Sequence, residues 1–225
     1  MTSPLPAGVL FDMDGTLVDT EPHWQAAQEA LAASIGTTWT QADFEASIGR
    51  PMERWAEVLI ARGVPGTLDQ IIARAVAYVS DMMRAEMPWL PGAYELLEQL
   101  AADGIPCGLV TNNAGVNAAL LADAAPAGSL QVLVSTDDVT SPKPHPEPYL
   151  TAIARLGIDP ARSIAFEDST SGATSAHEAG LGVWFINSHT ADPGIPTARV
   201  IGSPAEVTVA EVRATLAGSH TAELA

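Results

Sequence analysis

Short apolar runs alternate with stretches of helical periodicity from residue 91 to near the end of the chain. Four runs have the length and the Val, Ile, Leu and Phe content of buried strands: residues 106–111, 130–134, 163–166 and 182–186. The stretches around them predict helices over residues 91–102, 114–122, 146–156 and 171–179. A short strand near Val200 and a helix from about Pro204 to Leu216 follow. Repeated alternation of strand and helix predicts a parallel sheet with helices on both faces.

The first part of the chain has a different pattern, in which one strand-like run, Val9 to Phe11, precedes an all-helical block. Helices are predicted from Pro22 to about Ile35, after the N-cap signature "TQAD" at 40–43, from Pro51 to about Arg62, and from the capping-box signature "TLDQ" at 67–70 to about Glu86. Because this block interrupts the alternation, we predict an α/β core domain with a Rossmann-like, doubly wound parallel sheet, formed by residues 1–18 and 90–225. Residues 19–89 are predicted to be an inserted α-helical cap domain.

The composition is that of a globular protein. The 225 residues are 47% hydrophobic and 16% charged, which is enough to bury a large core together with a small satellite domain. The apolar stretches are shorter than the roughly 18 residues of a membrane helix, and "MTSPLPAG" lacks the regions of a signal peptide. A cytoplasmic protein is therefore expected. Cys107 is the only cysteine, and its apolar surroundings, "IPCGLV", favour a buried small side chain over a nucleophile.

The charge balance restricts the possible partners. With 10 basic and 27 acidic residues, the formal net charge is −17, which argues against nucleic acid or an anionic membrane as a partner. A phosphorylated substrate would need a local cation, either a bound metal or a fixed basic side chain, because the overall field repels it. Lys143, in "SPKPHPEPY", is the only lysine in the chain and is the basic side chain that stands out.

Polar side chains follow each of the first four predicted strands. Ligands of open parallel sheets bind beyond the carboxyl ends of the strands, so these side chains are expected to meet at one edge. They are Asp12 and Asp14 after the first strand, Thr111, Asn112 and Asn113 after the second, the loop to Lys143 after the third, and Glu167, Asp168 and Ser169 after the fourth.

This set contains the groups that phosphoryl transfer requires. A carboxylate can attack phosphorus, and hard oxygen ligands can hold Mg²⁺. Asp12 and Asp14 lie at i and i+2 and point differently, so one can attack while the other donates a proton and later activates water. Asp168 would complete the metal site, and the metal would offset the repulsion between the carboxylates.

The motifs "DMDGT", Thr111 after a strand, a lysine followed by Pro-x-Pro, and "FEDSTSG" resemble, in this order, the four motifs of the haloacid dehalogenase superfamily. The resemblance spans residues 9–187 and is to phosphatases with a helical, C1-type cap, similar to the β-phosphoglucomutase and phosphoglycolate phosphatase-like group. It implies that Asp12 is the nucleophile and Asp14 the general acid and base. It also implies that Thr111 and Asn112 bind the phosphoryl group and that Lys143 neutralises nucleophile and phosphate. The implied Mg²⁺ ligands are Asp12, the backbone carbonyl of Asp14, Asp168, and Glu167 directly or through water.

Structural explanations exist for several of these residues. Asp12 and Asp14 could form a turn before Gly15, and Thr111 could end a strand or cap a helix. Glu167 and Asp168 could be N-cap residues of the next helix, where the helix dipole favours carboxylates, and this role is compatible with metal binding. Of the histidines, His23 alone follows the nucleophile loop. It could contact the substrate or the hinge of the cap there, or it could be an ordinary surface residue.

Several functions compete. A dehalogenase does not need the aspartate at position 14, and a mutase of the β-phosphoglucomutase type carries a lysine that "TNNAGV" lacks. A phospho-acceptor signalling domain lacks the inserted helices, and a silent phosphometabolite sensor would have lost a motif. We therefore expect a Mg²⁺-dependent phosphatase that hydrolyses a sugar phosphate or phosphoglycolate-like ester through an aspartyl phosphate on Asp12.

The partner is expected to be a small phosphorylated metabolite, and the protein is expected to be a monomer. The cap should determine specificity, with five candidate residues: His23, Trp24, Arg50, Arg54 and Arg74.

Overall fold

The computed structural model describes residues 6–47, 51–187, 193–197 and 199–218. The chain divides into two compact units. Residues 1–19 together with 88–225 form one unit, here called the core unit, and residues 20–87 form the other, here called the helical unit.

The core unit contains a six-stranded sheet in which all neighbouring strands are parallel. The strands are β1 (Val9–Phe11), β2 (Cys107–Val110), β3 (Val132–Val134), β4 (Ile164–Glu167), β5 (Gly182–Ile186) and β6 (Arg199–Ile201). Their order is β3-β2-β1-β4-β5-β6, so the chain builds outward from β1 in both directions and the order reverses between β1 and β4. The predicted doubly wound α/β fold is confirmed.

Nine α-helices occur in the described part of the chain. The helical unit contains α1 (Glu21–Ala33), α2 (Gln41–Glu45), α3 (Met52–Ala61) and α4 (Leu68–Ala85). The core unit contains α5 (Ala93–Ala102), α6 (Gly115–Ala124), α7 (Glu147–Leu156), α8 (Thr170–Glu178) and α9 (Val209–Ala217). None of the described helices is both long and apolar enough to span a membrane.

Apart from Glu167 at the end of β4, the central strands carry no charged residue, because both faces of the sheet are covered. All residues of β1, β2, β4 and β5 are buried. Across neighbouring strands, Phe11 stacks on Phe166 with ring centroids 4.8 Å apart, and Trp184 meets Phe166 edge-on at 5.3 Å. This packing fixes the register of β1 against β4, and it therefore fixes the residues that follow these two strands.

The helical unit has two capping boxes, at the positions that the sequence predicts. Thr40 and Asp43 exchange side-chain to backbone hydrogen bonds at the start of α2, and Thr67 and Gln70 do the same at the start of α4. The Asp43 carboxylate also accepts from the Arg62 guanidinium. These bonds satisfy amide groups that a helix start otherwise leaves without partners.

The last predicted helix begins later than the sequence pattern indicates, and the predicted start at Pro204 is wrong. A 3₁₀ turn covers Pro204–Glu206, and α9 begins only at Val209. The Thr208 hydroxyl accepts from the Glu211 amide, and the Glu211 carboxylate accepts from the Thr208 amide at 2.9 Å. This capping box makes Thr208 the N-cap residue of α9.

The two chain segments that lead out of the core unit and back into it pair with each other. The Asp19 amide donates to the Pro88 carbonyl at 2.9 Å, and the Leu90 amide donates to the Leu17 carbonyl at 2.9 Å. Val18 and Trp89 form an antiparallel bridge between them. Both segments belong to the core unit, which therefore holds the two ends of the inserted chain side by side.

Candidate active site

Asp12 stands at the carboxyl end of β1, where the strand order reverses. Its amide donates to the Phe166 carbonyl at 3.0 Å, which extends the pairing of β1 and β4 by one residue. The chain then turns, because the Leu17 and Val18 amides both donate to the Met13 carbonyl. Asp12 is 7% exposed. The turn therefore holds a buried carboxylate on the innermost strand of the sheet.

Gly15 brings this turn close to the end of β4. Its φ of +76° lies in the left-handed region, which L side chains rarely adopt. A Cβ at position 15 would lie 2.0 Å from Asp168 Oδ2. The absence of a side chain thus lets the backbone of the "DMDGT" loop reach the Asp168 carboxylate.

Lys143 joins the carboxyl ends of three strands. Its Nζ donates to Asp12 Oδ1 at 2.6 Å, to Glu167 Oε1 at 2.6 Å and to the Val110 carbonyl at 2.7 Å. The side chain is 3% exposed. These three partners match the three N–H donors of an ammonium group, so Lys143 is held in one orientation.

The charges around Lys143 keep it protonated. Burial alone would lower the pKa of the ammonium, but the attraction of Asp12 and Glu167 outweighs burial and raises the pKa. Burial raises the pKa of Glu167 to about 7, although Lys143 opposes this rise. A single buried cation therefore serves two carboxylates and does not fully compensate the burial of Glu167.

Glu167 is fixed by neighbours on two helices. The Tyr149 hydroxyl, on α7, donates to Glu167 Oε1 at 2.6 Å. A Cβ at Gly172, in the first turn of α8, would lie 1.9 Å from Glu167 Oε2. Ser169 caps α8 by accepting from the Gly172 amide at 3.0 Å. The start of α8 therefore packs directly against the carboxylate, where the helix dipole favours negative charge.

Three carboxylates form a cluster that could hold a divalent cation. One oxygen from each of Asp12, Glu167 and Asp168 lies within 4.8 Å of the others. Burial, followed by repulsion from Asp12 and Glu167, raises the pKa of Asp168 well above its ordinary value. Hard oxygen donors and surplus negative charge are the chemistry that Mg²⁺ prefers. The residues present therefore fit a divalent cation, whereas the identity of the metal and its full set of ligands stay predictions.

Thr111 and Asn112, the first two residues after β2, make different contacts. Thr111 is 2% exposed, and its Oγ1 accepts from the Asn113 amide at 2.9 Å. The Asn112 side chain pairs with the backbone of Lys143: its Nδ2 donates to the Lys143 carbonyl at 3.0 Å and its Oδ1 accepts from the Lys143 amide at 3.0 Å. The structure therefore gives Asn112 a role in holding the lysine loop, whereas phosphoryl binding by Thr111 and Asn112 stays a prediction.

Asp14 lies beside Asn113, which the sequence pattern places at the edge of the sheet without a role in the site. Asn113 Nδ2 lies 3.2 Å from Asp14 Oδ1 and 3.1 Å from Asp14 Oδ2. The signal available in the sequence is the pair of asparagines after Thr111, but nothing in that pair distinguishes which one faces Asp14.

The candidate cap residues lie in the helical unit. His23 is in the first turn of α1, and the neighbouring Trp24 ring lies 6.5 Å from that of Trp55. The exposed Arg74 side chain on α4 approaches the Pro65 carbonyl at 3.5 Å. Arg54 lies 3.7 Å from Glu57. Arg50 lies outside the described residues, and substrate contacts of these side chains stay predictions.

The fold and the cluster of carboxylates with lysine place the chain among α/β enzymes whose site lies at the carboxyl edge of a parallel sheet. The chain belongs to the haloacid dehalogenase-like hydrolase family, whose sequence model matches residues 9–186. The resemblance carried by the four motifs is thereby confirmed, as is the prediction of an enzyme of this family.

Several known proteins are similar to this chain. Validoxylamine A 7'-phosphate phosphatase of Streptomyces hygroscopicus subsp. limoneus is 33% identical over 175 residues, which cover 76% of this chain and 81% of that protein. Protein CbbY of Rhodobacter capsulatus is 35% identical over 188 residues, which cover 78% and 82% respectively. The solved structure of a putative β-phosphoglucomutase from Thermotoga maritima has a TM-score of 0.74 at 27% identity and covers 89% of this chain and 95% of that one.

Proposed function

We propose that this protein hydrolyses a small phosphomonoester with the help of Mg²⁺ and through an aspartyl phosphate on Asp12. The observation that carries the proposal is the position of Asp12. Its carboxylate is bound by the Lys143 ammonium at 2.6 Å and also belongs to the cluster with Glu167 and Asp168. A nucleophile between a fixed cation and a metal site is placed where an incoming phosphate dianion can be neutralised.

In the first step, an Asp12 carboxylate oxygen attacks phosphorus and the bond from phosphorus to the ester oxygen breaks. Asp14, protonated at this stage, gives its proton to the leaving oxygen, which departs as an alcohol. Lys143 stabilises the charge that spreads over the phosphoryl oxygens. Its three hydrogen bonds hold it in position before the substrate arrives, so little reorganisation is needed.

In the second step, Asp14 takes a proton from a water molecule, which attacks the phosphoryl group on Asp12. The bond between phosphorus and the Asp12 oxygen breaks, inorganic phosphate leaves, and the carboxylate returns to its starting form. Asp14 thus ends each cycle protonated, ready to act as an acid again.

The metal would be held by the carboxylates of Asp12, Asp168 and Glu167 and by the backbone carbonyl of Asp14. When bound, Mg²⁺ supplies positive charge that polarises the phosphoryl oxygens and compensates the clustered carboxylates. Tyr149 and Lys143 would keep Glu167 oriented toward this position, since both donate to its Oε1. Such outer partners orient ligands at metal sites in general.

We infer that the substrate is a sugar phosphate or a related acid phosphate. Support comes from the names of relatives, which include a hexitol phosphatase, a phosphoglycolate phosphatase and a phosphorylated carbohydrates phosphatase. A mutase of the β-phosphoglucomutase type is the second candidate, favoured by the similarity to the Thermotoga maritima structure. The two functions are distinguished by their products, since a phosphatase releases inorganic phosphate, whereas a mutase returns an isomeric sugar phosphate.

The test is phosphate release from a panel of sugar phosphates, phosphoglycolate and glycerol phosphates, with Mg²⁺ and with EDTA. Asp12→Asn is the matched control, because it keeps the volume of the side chain and removes the nucleophilic oxygen. We expect Mg²⁺-dependent turnover that Asp12→Asn reduces by more than about 100-fold. Activity in EDTA, or a variant with most of its activity left, would contradict the proposal.

The same panel examines the cap residues that the sequence suggests. If Arg54 or Arg74 contacts the organic part of the substrate, its replacement by Ala should change the preference among esters more than the hydrolysis of p-nitrophenyl phosphate. Equal losses on every ester would assign these arginines to folding instead.

A further inference from the structure

Asn113 contacts both oxygens of the Asp14 carboxylate through a single nitrogen. Its Nδ2 lies 3.2 Å from Oδ1 and 3.1 Å from Oδ2. Asn113 is 3% exposed, whereas Asp14 is partly buried, so the contact joins a buried amide to a carboxylate at the edge of the site. A donor shared almost equally between two oxygens limits the rotation of the carboxylate about its Cβ–Cγ bond.

The orientation of the Asn113 amide is itself fixed. Its Oδ1 accepts from the Ala114 backbone amide at 2.8 Å and from Asn117 Nδ2 at 3.0 Å. Asn117 is fully buried in α6. Because two donors face Oδ1, the opposite end of the amide, which carries the N–H groups, must face Asp14.

The backbone of Asn113 is held as firmly as its side chain. Its amide donates to Thr111 Oγ1 at 2.9 Å, and its carbonyl accepts from the Thr136 hydroxyl at 3.2 Å. Every polar atom of the residue therefore has a partner, and these partners come from the loops after β1, β2 and β3 and from α6. Such a residue is a rigid support rather than a mobile ligand.

We propose that Asn113 is a positioning residue for the proton transfers of Asp14, and that Asn117 holds Asn113 in the required orientation. The inference rests on the proposed function. Asn113 presents only N–H donors to Asp14 and carries no charge. It can therefore aim the carboxylate without taking its proton, in contrast to Lys143, which holds Asp12 by charge.

The inference predicts a loss that depends on the leaving group. An alkyl phosphate leaves as a poorly stabilised alkoxide unless it receives a proton, whereas p-nitrophenolate leaves readily without one. A misplaced Asp14 should therefore impair the attack on an alkyl ester and spare the attack on p-nitrophenyl phosphate. The value of kcat/KM reports this first step, because it includes no event after the phosphoryl group has been transferred.

The experiment compares kcat/KM for p-nitrophenyl phosphate and for the best alkyl ester of the substrate panel, in Mg²⁺, for Asn113→Ala and Asn113→Asp. Asn113→Asp keeps an acceptor for Ala114 and Asn117 but presents an oxygen to Asp14. General acid–base catalysis contributes about 10²- to 10⁴-fold, so partial misplacement should cost about 30-fold on the alkyl ester and under about 3-fold on the aryl ester.

Two further variants complete the design. Asp14→Asn should show the same selectivity with a larger loss, since it removes the acid itself. Asn187→Ala replaces an exposed asparagine after β5 and should behave as wild type. Thermal unfolding of each variant separates a loss of folded protein, which lowers both rates equally, from a loss of positioning.

Equal losses on both esters, or wild-type rates for both Asn113 variants, would overturn the positioning role while a selective Asp14→Asn leaves the proposed function intact. If Asp14→Asn itself shows no selectivity, the role of Asp14 as an acid fails and the inference fails with it. Selective loss in Asn113→Ala, Asn113→Asp and Asp14→Asn, with none in Asn187→Ala, supports it.

Discussion

Raising the pH is expected to destabilise the metal-free protein through Glu167. Burial raises the pKa of this carboxyl from its ordinary value of 4.5 to about 7. In the unfolded chain Glu167 gives up its proton near pH 4.5, whereas in the folded chain it keeps the proton until about pH 7. The unfolded state therefore binds fewer protons over this interval, and the free energy of unfolding falls as the pH rises.

The size of the effect follows from the two pKa values. The rise corresponds to about 3 kcal/mol, fully present as stability below pH 4.5 and lost once the pH has passed about 7. A typical domain has a total stability of about 5 to 15 kcal/mol, so the loss should be easily measured. Repulsion within a chain of net charge −17 acts in the same direction, and a control is needed to separate it.

The control is Glu167→Gln, which keeps an oxygen that accepts from Tyr149 and Lys143 but does not titrate. Urea unfolding in EDTA at pH 5, 6, 7 and 8 gives the free energy of unfolding for both proteins. We expect wild type to lose about 2 to 3 kcal/mol more than Glu167→Gln across this range, and Mg²⁺ to reduce the loss above pH 7 by binding the ionised cluster. Parallel pH curves for the two proteins would refute the reasoning.

Three other residues give separate predictions. Acetylation of Lys143 should lower turnover by about 10²- to 10³-fold when it is complete, and the loss should follow the modified fraction measured by mass spectrometry of the Lys143 peptide. Phosphate with Mg²⁺ should slow this modification but not that of the α-amino group. An active, fully acetylated protein would contradict the assignment. Tyr149→Phe keeps the ring and removes the donor to Glu167, so calorimetric titration should find Mg²⁺ bound about tenfold more weakly, and an unchanged affinity would argue against this orienting role. The hydrogen bond from Arg62 holds the pKa of Asp43 below its ordinary value, so Asp43→Asn should cost about 1 kcal/mol of stability at pH 7 and progressively less as the pH falls below about 4; a thermal unfolding difference that does not shrink at all below pH 4 would exclude the ion pair as its origin.

The strands of the core unit were predictable because the sheet is covered on both faces. Such strands are continuously apolar, and the runs at 106–111 and 163–166 match β2 and β4 closely. The start of α9 was not predictable from apolar spacing alone, because Pro204 also begins a 3₁₀ turn. The sequence does contain a capping-box signature at the true start, Thr208 followed three residues later by Glu211.

The residue types of the site were predictable, but their contacts were not. Asp12, Lys143 and Asp168 follow three strands that the fold brings to one edge, and the motifs indicate them. Whether Asn112 or Asn113 faces Asp14 depends on the backbone angles of a loop, which the two identical letters cannot reveal. The contact of the Tyr149 hydroxyl was not predictable either, because a tyrosine on a buried helical face is ordinarily a core residue.

The pairing of segments Leu17–Asp19 and Pro88–Leu90 bears on how freely the inserted chain between them can vary. Because the core unit holds both ends of the insertion together by its own hydrogen bonds, the length and sequence between them are largely free of constraints from the sheet. A short turn, a different helical bundle or a β-sheet could occupy residues 20–87 without moving Asp12 or Lys143. The inserted chain could thus be exchanged while the residues at the edge of the sheet keep their arrangement.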